Sequence, residues 1–242
     1  MQELRLSMKS RELPYVRDMF NHIAPHYDFL NRLLSLRRDV FWRRAMVEGL
    51  RLAPGARVLD VACGTGDVAL EIVQRTGEGV FVAAADFAPR MLHLARPKVD
   101  NRGSRDCIAL LAADAFRLPF GRDRFDAVTI AFGIRNIQDK ETALRQLYQV
   151  LKPGGRLAVL ELASPDRGML RSVYMFYFHR VLPLLGRLFS KHGFAYSYLP
   201  ASVANFPSAG DFAGIMQSAG FGKVVYRKMT MGIAVLFTGE KP

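Results

Sequence analysis

The stretch from Val58 to Asp67, Val-Leu-Asp-Val-Ala-Cys-Gly-Thr-Gly-Asp, admits few folds. An apolar run carrying Asp60 breaks into the turn Gly64-Thr65-Gly66. A helix follows at once, opening at Asp67 and running through Val68, Ala69, Leu70 and Ile72. Strand, tight turn and helix in that order form the first unit of a parallel α/β sheet. The two glycines let the backbone pass close to a ligand, because no Cβ stands in the way.

Those letters fit two cofactor classes. Gly64-x-Gly66-x-x-Ala69, with Asp86 some 20 residues on, satisfies the dinucleotide fingerprint. A dinucleotide, however, rests its pyrophosphate on the helix N-terminus, where an anion is favoured. Asp60 and Asp67 flank this turn and would repel phosphate. At ~4 Å and an effective dielectric near 20, one such charge is worth roughly 4 kcal/mol before desolvation. S-adenosylmethionine carries no phosphate, but an ammonium and a sulfonium that carboxylates favour. Charge therefore selects the cationic methyl donor over a nicotinamide or flavin.

The strands that follow keep the pattern. Val80–Ala85 ends on Asp86, Ile108–Ala113 on Asp114, Phe125–Ala131 on Phe132-Gly133, and Arg156–Glu161 closes the parallel set. Ligands bind outside the carboxyl ends of such strands. Acids at four of those ends (Asp60, Asp86, Asp114, Glu161) suit a cationic ligand with hydroxyls. Between the strands, Ala88–Arg96 reads as a helix stopped by Pro97, and Lys140–Leu151 as one stopped by Pro153-Gly154-Gly155. Residues 1–50 read as a helical lid and 51–164 as the cofactor-binding core. Residues 165–207 read as an apolar, aromatic insert, and 208–242 as a last helix with two antiparallel strands, Lys223–Tyr226 and Ile233–Thr238. Within the insert, Gly193–Phe206 reads as a Tyr-rich linker.

Met169–Phe189 is strongly apolar, but Arg171, His179, Arg180, Pro183 and Arg187 interrupt it, which excludes an ordinary membrane span. It reads as helices that line an apolar pocket or lie on a membrane surface, with a homodimer face or ordinary core as the competing use. Arg171, Arg180, Arg187 and Lys191 would meet an anionic lipid surface. Net charge is +12, with 26 Arg against 8 Lys. No basic run exceeds two residues and no nucleic-acid module is present, so a nucleic-acid partner is not expected. Cys63 and Cys107 lie at no metal-ligand spacing and no secretory signal precedes them, which points to buried thiols, no metal, and a cytoplasmic setting, with peripheral contact at the inner face of the membrane.

This order of parts resembles the class I S-adenosylmethionine methyltransferases. The resemblance implies a Rossmann-like, seven-stranded, mostly parallel sheet with helices on both faces and a C-terminal antiparallel hairpin. Tyr27-Asp28-Phe29-Leu30-Asn31 with Phe41-Trp42-Arg43 is similar to the N-terminal motif of the menaquinone/ubiquinone C-methyltransferases. So are Leu118-Pro119-Phe120, Phe132-Gly133-Ile134-Arg135-Asn136, Lys152-Pro153-Gly154-Gly155, and Tyr196-x-Tyr198-Leu199-x-x-Ser202 with Phe206-Pro207. The likeness runs from about Met19 to the C-terminus.

That resemblance implies methyl transfer from S-adenosylmethionine to a ring carbon of a polyprenylated demethyl quinol, and the insert looks closer to relatives that make menaquinol, with a ubiquinone-precursor benzoquinol or another lipid or small phenolic acceptor as the alternative. It places Asp60, Gly64, Thr65, Gly66, Asp86 (ribose), Asp114 and Ala115 (adenine edge) and Ala131 at the cofactor. Tyr27, Tyr177, His179 and Tyr198 fall to the substrate. Such a carbon becomes nucleophilic once the neighbouring phenol ionises. Arg135 is the candidate to stabilise the phenolate, with Asn136 orienting the oxygen. Pairing of Arg135 with an acid such as Asp139 is the structural alternative. For the base, His22, His26, Asp28, His179 and a water beside Arg135 stay open, and Asp28 is equally a helix cap.

Overall fold

The computed structural model describes residues 16–25, 27–28, 31–32, 35–76, 79–164 and 193–242. Helix α1 covers 16–25. The order is then α2 (Arg38–Leu50), β1 (Arg57–Val61), α3 (Asp67–Thr76), β2 (Phe81–Asp86), α4 (Pro89–Asn101), β3 (Ile108–Ala112), β4 (Phe125–Ala131), a 3₁₀ turn Ile134–Asn136, α5 (Lys140–Val150) and β5 (Leu151–Leu162). The chain closes with α6 (Gly193–Ala204), α7 (Ala209–Ser218), β6 (Gly222–Met229), a 3₁₀ turn Thr230–Gly232 and β7 (Ala234–Glu240).

Seven strands form one sheet in the order β3-β2-β1-β4-β5-β7-β6. The pairs among β1 to β5 are parallel, and β7 runs antiparallel to both its neighbours. Alternation along β1 divides the interior in two. Val58 faces a core built with Trp42 and Met46 of α2 and Ile72 of α3, while Leu59 and Val61 face one built with Leu144 of α5 and Phe212 of α7. Helices thus cover both faces, as expected.

Three local expectations are corrected. Pro97 does not end α4, which continues to Asn101. Proline removes one backbone donor there, but Met91, Ala95 and Val99 form a buried stripe on both sides of it, and their packing carries the helix through. The stretch read as a linker is helix α6, with Val203 buried and Tyr198 reaching the 3₁₀ turn. Lys152-Pro153-Gly154-Gly155 does not precede β5 but lies within it as a bulge: the register with β4 jumps from Phe125↔Leu151 to Ala127↔Arg156.

After β1 and β4 the chain takes left-handed conformations at non-glycine residues, Ala62 (φ 53°) and Phe132 (φ 57°). These two turns meet: a Cβ on Gly133 would stand 2.6 Å from Ala62 Cβ. Gly133→Ala is therefore expected to cost about 1–3 kcal/mol through overpacking, lowering the melting temperature by roughly 2–10 °C for a chain this long. Thermal denaturation checks this, and an unchanged melting temperature would mean that the two turns are not in contact.

Candidate active site

The carboxyl ends of β1, β2 and β4 open into a cleft of about 720 Å³, its solvent-facing mouth included, within the range of small-molecule sites. Of the expected cofactor residues, Gly64, Asp86, Asp114, Ala115 and Ala131 line it, and so do Tyr27 and Asn136. Phe132, at the expected strand end, is joined by Phe87 and Met91, which the motifs did not reveal, in an apolar wall.

Asp86 organises the floor. Its Oδ2 accepts from the Gly64 amide at 2.7 Å and its Oδ1 from the Ala88 amide at 2.8 Å. Burial pushes its carboxyl above the usual range, and the Ala88 and Gly64 amides oppose that. Asp114 likewise accepts from the Phe116 amide at 2.9 Å. Asp60 stands behind the turn, fully buried; Thr129 Oγ1 donates to its Oδ1 at 2.7 Å. Among the described residues its Oδ2 makes no well-formed hydrogen bond, although the Ala69 amide favours the charged carboxyl. A buried, poorly partnered carboxylate oxygen is costly, and an ammonium or sulfonium placed nearby would offset that cost. With Asp86 and Asp114 lining the cleft and Asp60 buried behind it, the residues present fit a cationic cofactor.

The charge argument needs correction at Asp67. Its carboxylate is not free to greet a cation: Lys98 Nζ lies 2.6 Å from Oδ1, and Arg43 Nη2 3.2 Å from Oδ2. Burial works against its charge, but Arg43 and Lys98 outweigh it and pull the carboxyl below its usual range. Lys98 also donates to Thr65 Oγ1 at 2.9 Å and pairs with Asp28 Oδ2 at 2.5 Å, while Thr65 donates to Asp28 Oδ1. One lysine from α4 thus ties the N-terminal segment, the glycine turn and α3 together. Asp60, Thr65 and Gly66 do not line the cleft. Gly66 serves packing, since a Cβ there would meet Ala95 of α4 at 3.3 Å. Lys98 was missed because it follows Pro97, where the helix was expected to end.

Arg135 is buried, and its partner is Glu161, not Asp139. Nη1 lies 2.6 Å from Glu161 Oε1, and Glu161 Oε2 accepts the Arg135 amide at 3.0 Å. Asp139 instead caps α5, accepting from the Thr142 amide. Burial opposes the charge on Arg135, but Glu161, then Tyr27 and Tyr198, hold it firmly protonated. Among the described residues its Nε has no hydrogen-bond partner. The phenols of Tyr27 and Tyr198 therefore lie within electrostatic reach of this guanidinium. Tyr198 donates to Asn136 Oδ1 at 3.0 Å, which brings a residue expected at the substrate to one expected to be catalytic. Tyr27 stands over the turn, 3.8 Å from where a Gly64 Cβ would be. Burial raises its phenol pKa against the pull of Arg135 and a hydrogen bond with Asn31.

Among the base candidates, His22 is exposed and its Nδ1 lies 2.6 Å from the Asp18 carbonyl. His26, Tyr177 and His179 fall outside the described residues, as do Arg171, Arg180, Arg187 and Lys191. Among the described residues no helix is long and apolar enough to cross a membrane, and no His, Cys, Asp and Glu cluster could hold a metal.

Residues 7–241 match the model of the ubiE/COQ5 methyltransferase family. The chain is 50% identical over 226 residues to the ubiquinone/menaquinone biosynthesis C-methyltransferase of Geobacter sulfurreducens, covering 93% of this chain and 88% of that one. It is 51% identical over 225 residues to the demethylmenaquinone methyltransferase of Thermus thermophilus, covering 93% of this chain and 100% of that one. Among solved structures, a SAM-dependent methyltransferase from Aquifex aeolicus superposes with a TM-score of 0.60 at 19% identity, over 83% of this chain and 89% of that one. That likeness concerns the fold.

Proposed function

The chain belongs to the ubiE/COQ5 methyltransferase family, so it is a methyltransferase with S-adenosylmethionine as donor, and we propose that its acceptor is the ring carbon of a polyprenylated demethylmenaquinol. The observation that carries this reading is the 51% identity spanning the whole length of a protein named demethylmenaquinone methyltransferase. The Geobacter relative's name covers ubiquinone as well, which makes a benzoquinol precursor the second reading.

When bound, S-adenosylmethionine supplies an electrophilic methyl group on a sulfonium. Asp86, already oriented by two backbone amides, holds the ribose hydroxyls, and Asp114 with Ala115 meets the adenine edge. Ala131 offers only its backbone. Asp60 opposes the positive charge from below. Arg135 stabilises the emerging phenolate through a fixed positive charge in a buried site, and Asn136, held by Tyr198, orients that oxygen. Tyr27 covers the turn and excludes water. Both oxygens of Asp28 are engaged by Thr65 and Lys98, so its task is to fix the N-terminal segment to the turn, not to take the phenol proton.

Incubated with labelled S-adenosylmethionine, the protein is expected to methylate a reduced, short-tailed demethylmenaquinone on its ring carbon, about tenfold or more faster than the corresponding benzoquinol, since discrimination between related acceptors rests on pocket contacts of this size. Preference for the benzoquinol reverses the acceptor. Product from neither overturns the quinol reading. An Asp86→Ala variant that binds S-adenosylmethionine as tightly as the parent would remove the ribose assignment.

A further inference from the structure

Two short tips project at the carboxyl edge of the sheet, the edge on which the cleft opens. One is the turn before α2, where Leu36 is 81% exposed and Phe41 follows at 55%. The other is the 3₁₀ turn between β6 and β7, where Met231 is 74% exposed. Both are held in backbone conformations that L residues seldom adopt: Leu36 has φ 50°, Arg37 62°, Thr230 47° and Met231 55°. Strain of this kind persists only where the surroundings enforce it, and here it displays large apolar side chains to solvent. Trp42 joins the tips. Its indole N–H donates to Thr230 Oγ1 at 2.8 Å, and its ring packs on Phe132, a wall of the cleft, with centroids 6.2 Å apart.

Within these two stretches the exposed charges have one sign. Over 35–41 the exposed charged side chains are Arg37 and Arg38, while Asp39 is buried against Arg43 and Ser35. Over 227–233 they are Arg227 and Lys228. Apolar side chains pointing outward within a ring of cations match an anionic bilayer surface, where hydrocarbon enters the interface and basic groups meet headgroups. We propose that Leu36, Phe41 and Met231, flanked by Arg37, Arg38, Arg227 and Lys228, dock the protein on anionic lipid and set the mouth of the cleft against the bilayer. A lipid-soluble acceptor would then reach the cleft without crossing water. This docking rests on the two tips and not on which quinol is the substrate.

The test is co-sedimentation of the full chain with vesicles, one set of phosphatidylcholine alone and one containing phosphatidylglycerol. Asn tolerates the left-handed region, so Leu36→Asn with Met231→Asn removes the apolar tips and keeps their backbone. Parent protein is expected to bind the anionic vesicles and release them as salt rises. The double variant is expected to bind about tenfold or more weakly, with S-adenosylmethionine binding unchanged. Charge reversal with Arg37→Glu and Arg38→Glu is expected to abolish the preference for anionic lipid. The proposal is overturned if the parent binds neither vesicle at low salt, or if the double variant binds as the parent does. It is overturned equally if the variants convert a dimer to a monomer in sedimentation without altering vesicle binding. Failure of quinol methylation with vesicle binding intact would touch only the acceptor reading.

Discussion

Replacing Glu161 by alanine is expected to destabilise the protein by about 3–5 kcal/mol, because it leaves the Arg135 guanidinium buried without its counter-charge. Glu161 is fully buried and accepts from Arg135 Nη1, the Arg135 amide and the Leu162 amide. After the substitution, the Phe132 carbonyl is the remaining acceptor for Nη1. Chemical denaturation measures the loss, and a change below about 1 kcal/mol would show that the pair is not the buried unit described. The double change Glu161→Leu with Arg135→Met removes both charges and is expected to recover part of the stability; two backbone amides still lack their acceptor, which limits the recovery. Activity then separates the two roles of Arg135. If its charge stabilises the phenolate, the double variant folds yet turns over slowly with little change in KM. If the arginine serves only the fold, turnover returns with stability.

The pair also shows where the sequence stops being legible. Asp139 is the nearer acid along the chain, but the 3₁₀ turn Ile134–Asn136 points Arg135 toward β5 and leaves Asp139 to cap α5. Contacts across 26 residues depend on strand order, which no local spacing encodes. Strands were readable because buried parallel strands are continuous apolar runs bounded by turns. The cleft position of Asp86 was readable because strand ends in such sheets face ligands. Lys98 was not, since a proline normally marks a helix end and tertiary packing of Val99 overrode it. The Gly193–Ala204 helix escaped for a similar reason: Gly193 and Pro200 weaken local helix propensity, while burial of Val203 and the Tyr198–Asn136 bond are supplied by the rest of the fold. Counting acids at strand ends gave the right cofactor, although Glu161 among them, and Asp67 beside the turn, are neutralised within the protein. What remained to carry the argument were Asp86 and Asp114, which line the cleft, with Asp60 buried behind the turn.

Asp60 is expected to make cofactor affinity depend on pH. Burial is the largest influence on Asp60 and raises its pKa from 3.8 to about 7; the Asp86 charge adds to the rise, while the Thr129 hydroxyl and the nearby Ala69 amide oppose it. The folded value exceeds the unfolded one, so the folded state binds the extra proton, and Asp60 costs progressively more stability as pH climbs from about 4 to about 7. A cation nearby reverses the preference, because it favours the carboxylate. Binding of S-adenosylmethionine below pH 7 must then release a proton, and affinity should rise by about tenfold between pH 6 and pH 8 as Asp60 ionises. Calorimetric titration at several pH values measures both the affinity and the proton release. Asp60→Asn is expected to flatten the profile and weaken binding most at pH 8. Thr129→Val removes a bond that favours the charged form, so it is expected to move the profile toward higher pH. A parent profile already flat, or an Asn variant that keeps the slope, would place the titrating group elsewhere and leave Asp60 as a buried acid held neutral by the core.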